Sequence, residues 1–336
     1  MPRDNGDRSP SMRSARRAPD FQIVSPSIDM YLTYRCNFRC RHCFLGDLLD
    51  TSQDLPWTDV RHLIENASTL WGTREISFLG GEPALYPMAA EAIGLALDRG
   101  YSVRLVTNGG KPTERLLTAL GPDRAIHLAF SIDGSQARLH DNIRKKGSFT
   151  SAITTMAKAK LLGHSTSGII SIGRHNISDA LATIEVIADY GLDYINVHFV
   201  TDRGTATRDM VASHASWLSF RKQVHKARPG VKVRFERTFV PNGNPMKCSV
   251  REHSMLMFFP DGRVFSCTMF IDSPNGHEYI WSAGRLELNR EFNHRFGHSL
   301  ENAEGCPAVN ALRPELELEA KATGYKIGCI FEKELI

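Results

Sequence analysis

The chain lacks any uninterrupted run of about 18 apolar residues, so nothing in it reads as a membrane-spanning helix. Its first twenty residues hold Arg, Ser, Pro and Asp and no apolar stretch of the kind a secretion signal requires, which makes the cytoplasm the expected compartment. Thiols are few and unevenly spread: seven cysteines, none between Cys43 and Cys248. An odd count without a secretion signal argues against a disulfide framework and leaves the cysteines to be read as metal ligands. Neither sign of charge dominates, with 41 Lys+Arg against 37 Asp+Glu and a formal net charge of +4. That excess is small for a nucleic-acid binder, and nucleic acid is not the expected partner. A hydrophobic fraction of 42% and a mean hydropathy of -0.27 exclude wholesale disorder. At roughly 100 to 200 residues per domain, the 336 residues exclude a mini-protein and allow one large domain or two ordinary ones.

What basic excess there is lies at the start, where Arg3, Arg8, Arg13, Arg16 and Arg17 stand among Pro2, Pro10, Pro19 and several serines. This composition predicts a flexible basic tail over 1–25. A nucleic-acid-binding arm is the sharper alternative, but no aromatic residues interleave the arginines.

From Ile28 onward, short β-type runs alternate with longer helical patterns. The runs are 28–33, 75–79, 102–107, 126–132, 168–172 and 194–200. Between the first two, Val60, Leu63, Ile64, Ala67, Leu70 and Trp71 recur at helical spacing, with Thr58 or Asp59 as the expected start. Further helical stretches are expected over 88–98, 113–120, 149–162 and 178–190. Six strand–helix repeats imply right-handed crossovers and a parallel sheet, either open and doubly wound or curled into a partial barrel. After about Arg228 the texture changes. A strand-like run over 231–239 is broken by Pro241, Gly243 and Pro245, and a Pro260-Asp261-Gly262 turn sits between 255–259 and 263–266 as in a hairpin. A smaller C-terminal unit is expected, beginning between Arg203 and Lys232.

Cys36, Cys40 and Cys43 follow directly on the first strand, at the carboxyl edge where parallel α/β sheets place their sites. Structural zinc usually takes four ligands in paired Cys-x2-Cys knuckles, and this loop offers three thiols, with His42 as the one nearby candidate for a fourth. Three thiolates on a four-iron cubane leave one iron open to a small molecule, which suits catalysis better than electron carriage.

This Cys-x3-Cys-x2-Cys run resembles that of the radical S-adenosylmethionine (radical SAM) superfamily, and the resemblance continues along the chain. Leu79-Gly80-Gly81-Glu82-Pro83 ends the second strand, Thr107-Asn108-Gly109 the third and Ser131-Ile132-Asp133-Gly134 the fourth, with His140 to Arg144 and Gly147-Ser148-Phe149 beyond. The matches run in the family's order over 28–200. The resemblance implies an α/β fold, a partial (β/α)6 TIM-like barrel over 26–225, and a [4Fe-4S] cluster on Cys36, Cys40 and Cys43 that binds S-adenosyl-L-methionine. It also implies contacts to that cofactor from Gly80, Gly81, Glu82 and Pro83, from Asn108, from Ser131 toward the ribose, from Arg144 toward the carboxylate and from His42 beside the adenine. The residue chemistry agrees: glycines admit close backbone approach, Glu82 can pair with an ammonium, and Arg144 can hold a carboxylate through two donors. Plainer readings stand beside these, namely a strand-to-helix turn at Gly80 and Gly81, a helix cap at Asp133 and a self-stabilised turn at Asn108.

Cys248, Cys267 at the end of a Gly-x4-Cys element, Cys306 before Pro307, and Cys329 resemble the auxiliary-cluster extension called SPASM or its shorter form, Twitch. A full SPASM unit has seven cysteines; four imply the shorter form, a small C-terminal α+β domain over 226–336 holding a second, auxiliary [4Fe-4S] cluster on Cys248, Cys267, Cys306 and Cys329. Two alternatives remain open: one thiol stays unligated, as a hydrogen-atom donor or beside an open iron, or Cys329 is merely buried.

The resemblance further implies reductive cleavage of S-adenosylmethionine to a 5'-deoxyadenosyl radical that abstracts a hydrogen from substrate, with an external one-electron donor such as flavodoxin or ferredoxin. Dehydrogenation would follow from an electron-accepting auxiliary cluster, epimerisation from a thiol donor. The Arg-rich start is well below domain size, too short for the winged-helix leader-binding domain of peptide-modifying relatives. This favours a small polar substrate, a sugar, aminocyclitol or nucleoside of specialised metabolism, over a peptide that is cross-linked or epimerised. A non-catalytic iron-sulfur electron carrier would leave the ordered Gly-Gly-Glu-Pro, Ser-Ile-Asp-Gly and Arg144 set unexplained. On the sixth strand, Asn196 and His198 alternate with Ile195, Val197 and Phe199, so the polar pair is expected to face the barrel lumen. His198 is the candidate that contacts substrate or takes its proton, against the plainer reading of a hydrogen-bonded core histidine.

Overall fold

The structure is a computed structural model that describes residues 23–302 and 304–336. The basic tail expected over 1–25 falls, but for its last three residues, outside the described residues. Seven parallel strands follow in chain order: β1 (Ser27–Thr33), β2 (Glu75–Gly80), β3 (Ser102–Thr107), β4 (His127–Ser131), β5 (Ser165–Ile172), β6 (Tyr194–Phe199) and β7 (Lys232–Glu236). Each pairs with the next, which is the arrangement of an α/β partial barrel rather than of a doubly wound sheet, whose strand order reverses at a switch point.

Helices cover one face of the sheet. On β1, Ile28, Met30 and Leu32 are buried among residues of those helices, and so are Ile76 and Phe78 of β2, Leu105 of β3, Leu128 and Phe130 of β4, Ile170 of β5, and Ile195 and Val197 of β6. The first crossover helix, Trp57–Trp71, buries Val60, Leu63, Ile64, Ala67 and Trp71, each worth roughly 1.5–3 kcal/mol for the larger side chains. It starts one residue before the expected Thr58, behind Pro56, and stops at Gly72, whose left-handed φ of 68° lets its N–H close on Ser68 O at 2.9 Å. Helices also form where none was expected, among them Arg290–Asn302, Pro307–Leu312 and Pro314–Ala322 near the C-terminus and two within the barrel region. Ala137–Ile143 is a short turn between site loops, and His214–Ala227 buries Trp217, Phe220 and Val224 behind a Ser213 cap on Ser216 N.

Because helices take the outward residues, the alternate positions face the lumen. There the strands are polar: Asp29, Ser77, Arg104 and His127 pair in register across β1 to β4, Ser167 pairs with Tyr194 across β5 and β6, and Asn196 with Arg234 across β6 and β7. Parallel strands covered on both faces read as continuous apolar runs, so this alternation marks an interior with a polar function.

The C-terminal segments are β8 (Phe239–Pro241), β9 (Leu256–Phe258), β10 (Arg263–Phe265), β11 (Tyr279–Ser282), β12 (Arg285–Leu288), β13 (Tyr325–Ile327) and β14 (Lys333–Leu335). The expected hairpin is β9–β10. These segments are more than an appended domain. β9 pairs parallel to β1, β14 pairs antiparallel to β7, and the sheet becomes twelve-stranded, extended at both edges, while β8 and β13 form a separate pair. A second core, around Phe259, Phe265, Phe270, Phe292 and Phe296, packs beneath Tyr31, Tyr34 and Leu45 of the first thiol loop's surroundings. Among the described residues, no helix is long and apolar enough to cross a membrane.

Candidate functional site

Cys36, Cys40 and Cys43 lie on the loop leaving the carboxyl end of β1, partly exposed and free. Donors aim at their sulfurs. Phe38 N–H reaches Cys36 Sγ at 3.4 Å, Arg144 Nη1 lies 3.9 Å from Cys40 Sγ, and the backbone N–H groups of Leu45 and Gly46 point to Cys43. Burial pushes the Cys36 thiol up to about 12 and that of Cys40 to about 11. Metal binding to these side chains therefore releases protons. As the side chains stand, no group of three or more Cys, His, Asp or Glu among the described residues is drawn together as a finished metal site, so ligation requires rotamer adjustment within this loop. Three thiols supplied with N–H donors suit anionic sulfur ligands, and the donor set fits an iron-sulfur cluster.

Gly80 and Gly81 press against that loop. A Cβ on Gly81 would lie 2.4 Å from Arg35 O, and one on Gly80, whose φ is +147°, 2.4 Å from Thr33 O. Their lack of side chains is thus needed for packing against the thiol loop's backbone, whatever else they touch. Glu82 is fully buried and spends its carboxylate on Asn108 N at 2.9 Å, Thr107 Oγ1 at 3.0 Å, and Thr113 Oγ1 and Ala84 N at 3.3 Å. It ties β2 to the end of β3, in place of the free acid expected for an ammonium. Pro83 opens the short turn that follows. Asn108 both closes its own turn, accepting from Gly110 N at 2.9 Å, and donates to Asn37 Oδ1 of the thiol loop at 2.9 Å.

Asp133 is no helix cap. Its buried carboxylate lies 2.5 Å from Arg144 Nε and 3.4 Å from His42 Nε2, and accepts Ser171 N–H at 2.8 Å. Burial, the largest single influence, would raise its pKa; Arg144 first, with His42, His140 and the Ser171 N–H, together outweigh burial and hold it at about 2. His42, dried by burial, is lowered to about 4 and is neutral, stacked 5.8 Å from His175. His140 is lowered to about 4 by the same cause, and its Nδ1 accepts Asp133 N–H at 3.1 Å. Arg144, expected to face a cofactor carboxylate, is thus anchored on Asp133 with its remaining nitrogens toward Cys40. Ser131 stands partly exposed at the carboxyl end of β4.

His198 lies on the lumen side of β6, its Nδ1 3.3 Å from Glu236 Oε1, which Lys333 Nζ holds at 3.0 Å. Burial first and Lys333 second drive its pKa well below the usual value, so it is neutral. His198 Nε2, Asn196 Oδ1, His42 Nδ1, Arg104 Nε, and Nε and Nη2 of Arg203 are buried without a hydrogen-bond partner. Such orphans are costly unless a ligand meets them, and they fit a polar small molecule in the lumen. Motif reading missed the floor of the lumen, where His127 bonds Ser165 and Ser167 and stacks 5.3 Å from Tyr194, with Arg234 3.9 Å above the Tyr194 ring. The alternation of polar residues along β3, β4 and β6 was the signal available.

Cys248, Cys267, Cys306 and Cys329 are all buried, and all four line one cavity of about 580 Å³. Backbone N–H groups of Met269, Val309 and Phe331 point at Cys267, Cys306 and Cys329. Burial raises these thiols, Cys306 to about 12, and Cys267 and Cys306 are pushed further by neighbouring late cysteines. From the thiols the cavity runs to Arg174, Thr201, Asp202 and Arg208 on loops after β5 and β6. The structure thus sets the four late cysteines around one cavity that opens toward the barrel rim, without drawing three of them together as a finished metal site.

Comparison with known proteins agrees with this architecture. Over 265 residues the chain is 28% identical to the PqqA peptide cyclase of Ruegeria pomeroyi, covering 76% of this chain and 71% of that one. It is 24% identical to the AdoMet-dependent heme synthase of Methanosarcina barkeri, covering 63% of this chain and 61% of that one. Among solved structures, Streptococcus suis SuiB bound to the precursor peptide SuiA superposes with a TM-score of 0.62 at 13% identity, over 75% of this chain and 61% of SuiB. That likeness is one of fold. The model of the radical SAM superfamily matches residues 30–187, from β1 through the helix after β5. With the three-thiol loop at the head of that stretch and a partial barrel around it, residues 30–187 form a radical SAM superfamily core.

Proposed function

We propose that the protein is a radical SAM enzyme that modifies a peptide. The observation that carries the reading is the three-thiol loop at the carboxyl end of β1, its sulfurs facing N–H donors, above a lumen lined with unpartnered polar atoms. Cys36, Cys40 and Cys43 hold a [4Fe-4S] cluster, and His42, Asn108, Ser131 and Arg144 surround the space beside it where S-adenosylmethionine binds. Together these groups supply one-electron cleavage of a carbon-sulfur bond and a carbon radical able to take an unactivated hydrogen. The chain's own residues orient and enclose. Gly80 and Gly81 let β2 close on the thiol loop, Glu82 fixes the β2 and β3 ends, and Asp133 aims Arg144. His198, neutral and backed by Glu236, presents Nε2 to the lumen as a hydrogen-bonding or proton-accepting group. Cys248, Cys267, Cys306 and Cys329 hold the auxiliary [4Fe-4S] cluster, and a flavodoxin or ferredoxin supplies electrons.

The sequence alone favours a small polar substrate. Two of the three similar proteins shift that preference, one a peptide cyclase by name and one solved with its precursor peptide, while the third is a heme synthase by name. A cavity of about 580 Å³, open from the late thiols to the rim, has the size of a ligand site.

Iron and acid-labile sulfide after anaerobic reconstitution test the cluster assignment. At four irons per cubane, about eight irons per chain should fall to about four when Cys36, Cys40 and Cys43 become Ala. No iron in the parent would overturn the reading, and about four falling to none would remove the auxiliary cluster. For the substrate, reduced enzyme with S-adenosylmethionine and a precursor peptide should yield 5'-deoxyadenosine together with a peptide that has lost two hydrogens or gained solvent deuterium. Sugar or nucleoside turnover with an untouched peptide would restore the small-substrate reading.

A further inference from the structure

The loop after β6 grips the first thiol loop through its backbone. A Cβ on Gly204, whose φ is +60°, would lie 2.1 Å from Cys43 O and 2.4 Å from Phe44 O, and one on Gly46 would lie 2.9 Å from Gly204 Cα. The two loops therefore meet glycine to glycine, at a distance that no side chain allows. Thr205 follows. Its N–H donates to Cys43 O at 2.9 Å, and its hydroxyl lies 3.1, 3.2 and 3.3 Å from the carbonyl oxygens of Cys40, Cys43 and Arg41. One proton shared among three carbonyls holds the turn between Cys40 and Cys43 closed.

The same loop reaches the C-terminal unit. Gly204 N–H donates to Asp272 Oδ2 at 3.1 Å, and Asp202 pairs with Arg313. Asp272 lies five residues beyond Cys267, and Arg313 seven beyond Cys306. Asp202, Gly204 and Thr205, three of four consecutive residues, thus contact the loop of the first thiol triad and the segments that carry two of the late thiols.

We propose that Asp202–Thr205 is a strut that sets the first thiol loop against the late-cysteine site, with Gly204 and Thr205 as positioning residues acting through the backbone of 40–46. The proposal rests on the cluster assignments above. It makes the spacing between the two clusters a property of this loop.

The test is electron paramagnetic resonance of the reduced, fully reconstituted chain with and without S-adenosylmethionine. The part of the signal that S-adenosylmethionine alters reports the first cluster; the unaltered part reports the second. Thr205→Val keeps the shape and removes the proton, and it should lower the altered part at least threefold while leaving the unaltered part at the parent level. Thr205→Ser should restore it. Gly204→Ala should act in the same direction as Thr205→Val, and if it fails to fold, the threonine pair decides. Parent-like spectra in Thr205→Val, or equal loss of both signals, would overturn the strut. Persistence of the altered signal in the Cys36, Cys40 and Cys43 to Ala variant would instead overturn the cluster assignment on which it stands.

Discussion

Replacing Asp133 with Asn tests whether the buried Asp133–Arg144 pair organises the first site. The carboxylate is held at about 2 against an ordinary 3.8, a difference worth about 2.5 kcal/mol of stability at neutral pH. Because the folded value is the lower one, that contribution is complete above about pH 4 and fades as pH falls toward 2. Asp133→Asn does more than forfeit it, since Arg144 is left as a buried cation whose side chain is only 9% exposed. Removing one partner of such a pair costs about 3–5 kcal/mol. At about 2 °C per kcal/mol for a chain of this size, thermal unfolding followed by circular dichroism should begin roughly 6–10 °C lower. Arg144→Gln should cost a similar amount, and the double variant should be more stable than the sum predicts by about 2 kcal/mol or more. Additive losses, or an Asp133→Asn midpoint within about 1 °C of the parent, would show that Arg144 is held by something else, and the reading of Asp133 as its anchor would be wrong.

Gly81→Ala places a methyl 2.4 Å from Arg35 O; overpacking of this kind costs about 1–3 kcal/mol, and the expected result is a lower melting point with reduced iron at the first cluster, an unchanged iron count arguing against tight loop packing. Glu278 is buried and pushed up to about 8 by that burial, with Oε2 accepting Ser266 N–H at 2.7 Å and Oε1 unpartnered. Its folded value being the higher, the stability it contributes is intact below about pH 4.5 and is lost as pH rises through 8. Glu278→Gln should therefore match the parent in urea midpoint near pH 5 and exceed it at pH 8, and equal midpoints at both would place the carboxylate in water. His198→Ala should abolish product while 5'-deoxyadenosine formation continues, and full product yield would dismiss the histidine from the substrate site.

The strands of the barrel were legible because each is a short apolar run between helical periods, and every expected core strand begins within three residues of where it lies. The number of parallel strands came out one higher than six. The run over 231–239 alternates like a half-exposed strand, yet β7 pairs parallel to β6 and carries Glu236 behind His198. Nothing local distinguishes a seventh barrel strand from the start of a new unit. Pairing of β9 with β1 and β14 with β7 joins segments more than two hundred and nearly one hundred residues apart, a matter of global closure that periodicity does not record.

At the site the legible part was the set of side chains, and the hidden part was what each would spend its hydrogen bonds on. Glu82 and Arg144 carry charges suited to an amino acid's ammonium and carboxylate, and from residue type alone both face a ligand. In the fold, Glu82 meets two threonine hydroxyls and two N–H groups, and Arg144 meets Asp133, so both charges are answered before any ligand arrives. Among the groups left unanswered are His198 Nε2, Asn196 Oδ1, His42 Nδ1, Arg104 Nε, and Nε and Nη2 of Arg203. An ionisable residue in a motif states what chemistry is available; only the census of buried partners states which of that chemistry is still free. The same reasoning explains why Gly204 and Thr205 escaped notice. Their contacts end on backbone groups, the Thr205 hydroxyl reaching across 165 and 162 residues to the carbonyls of Cys40 and Cys43, and a glycine–threonine pair in a loop has no composition or spacing that announces such a partner.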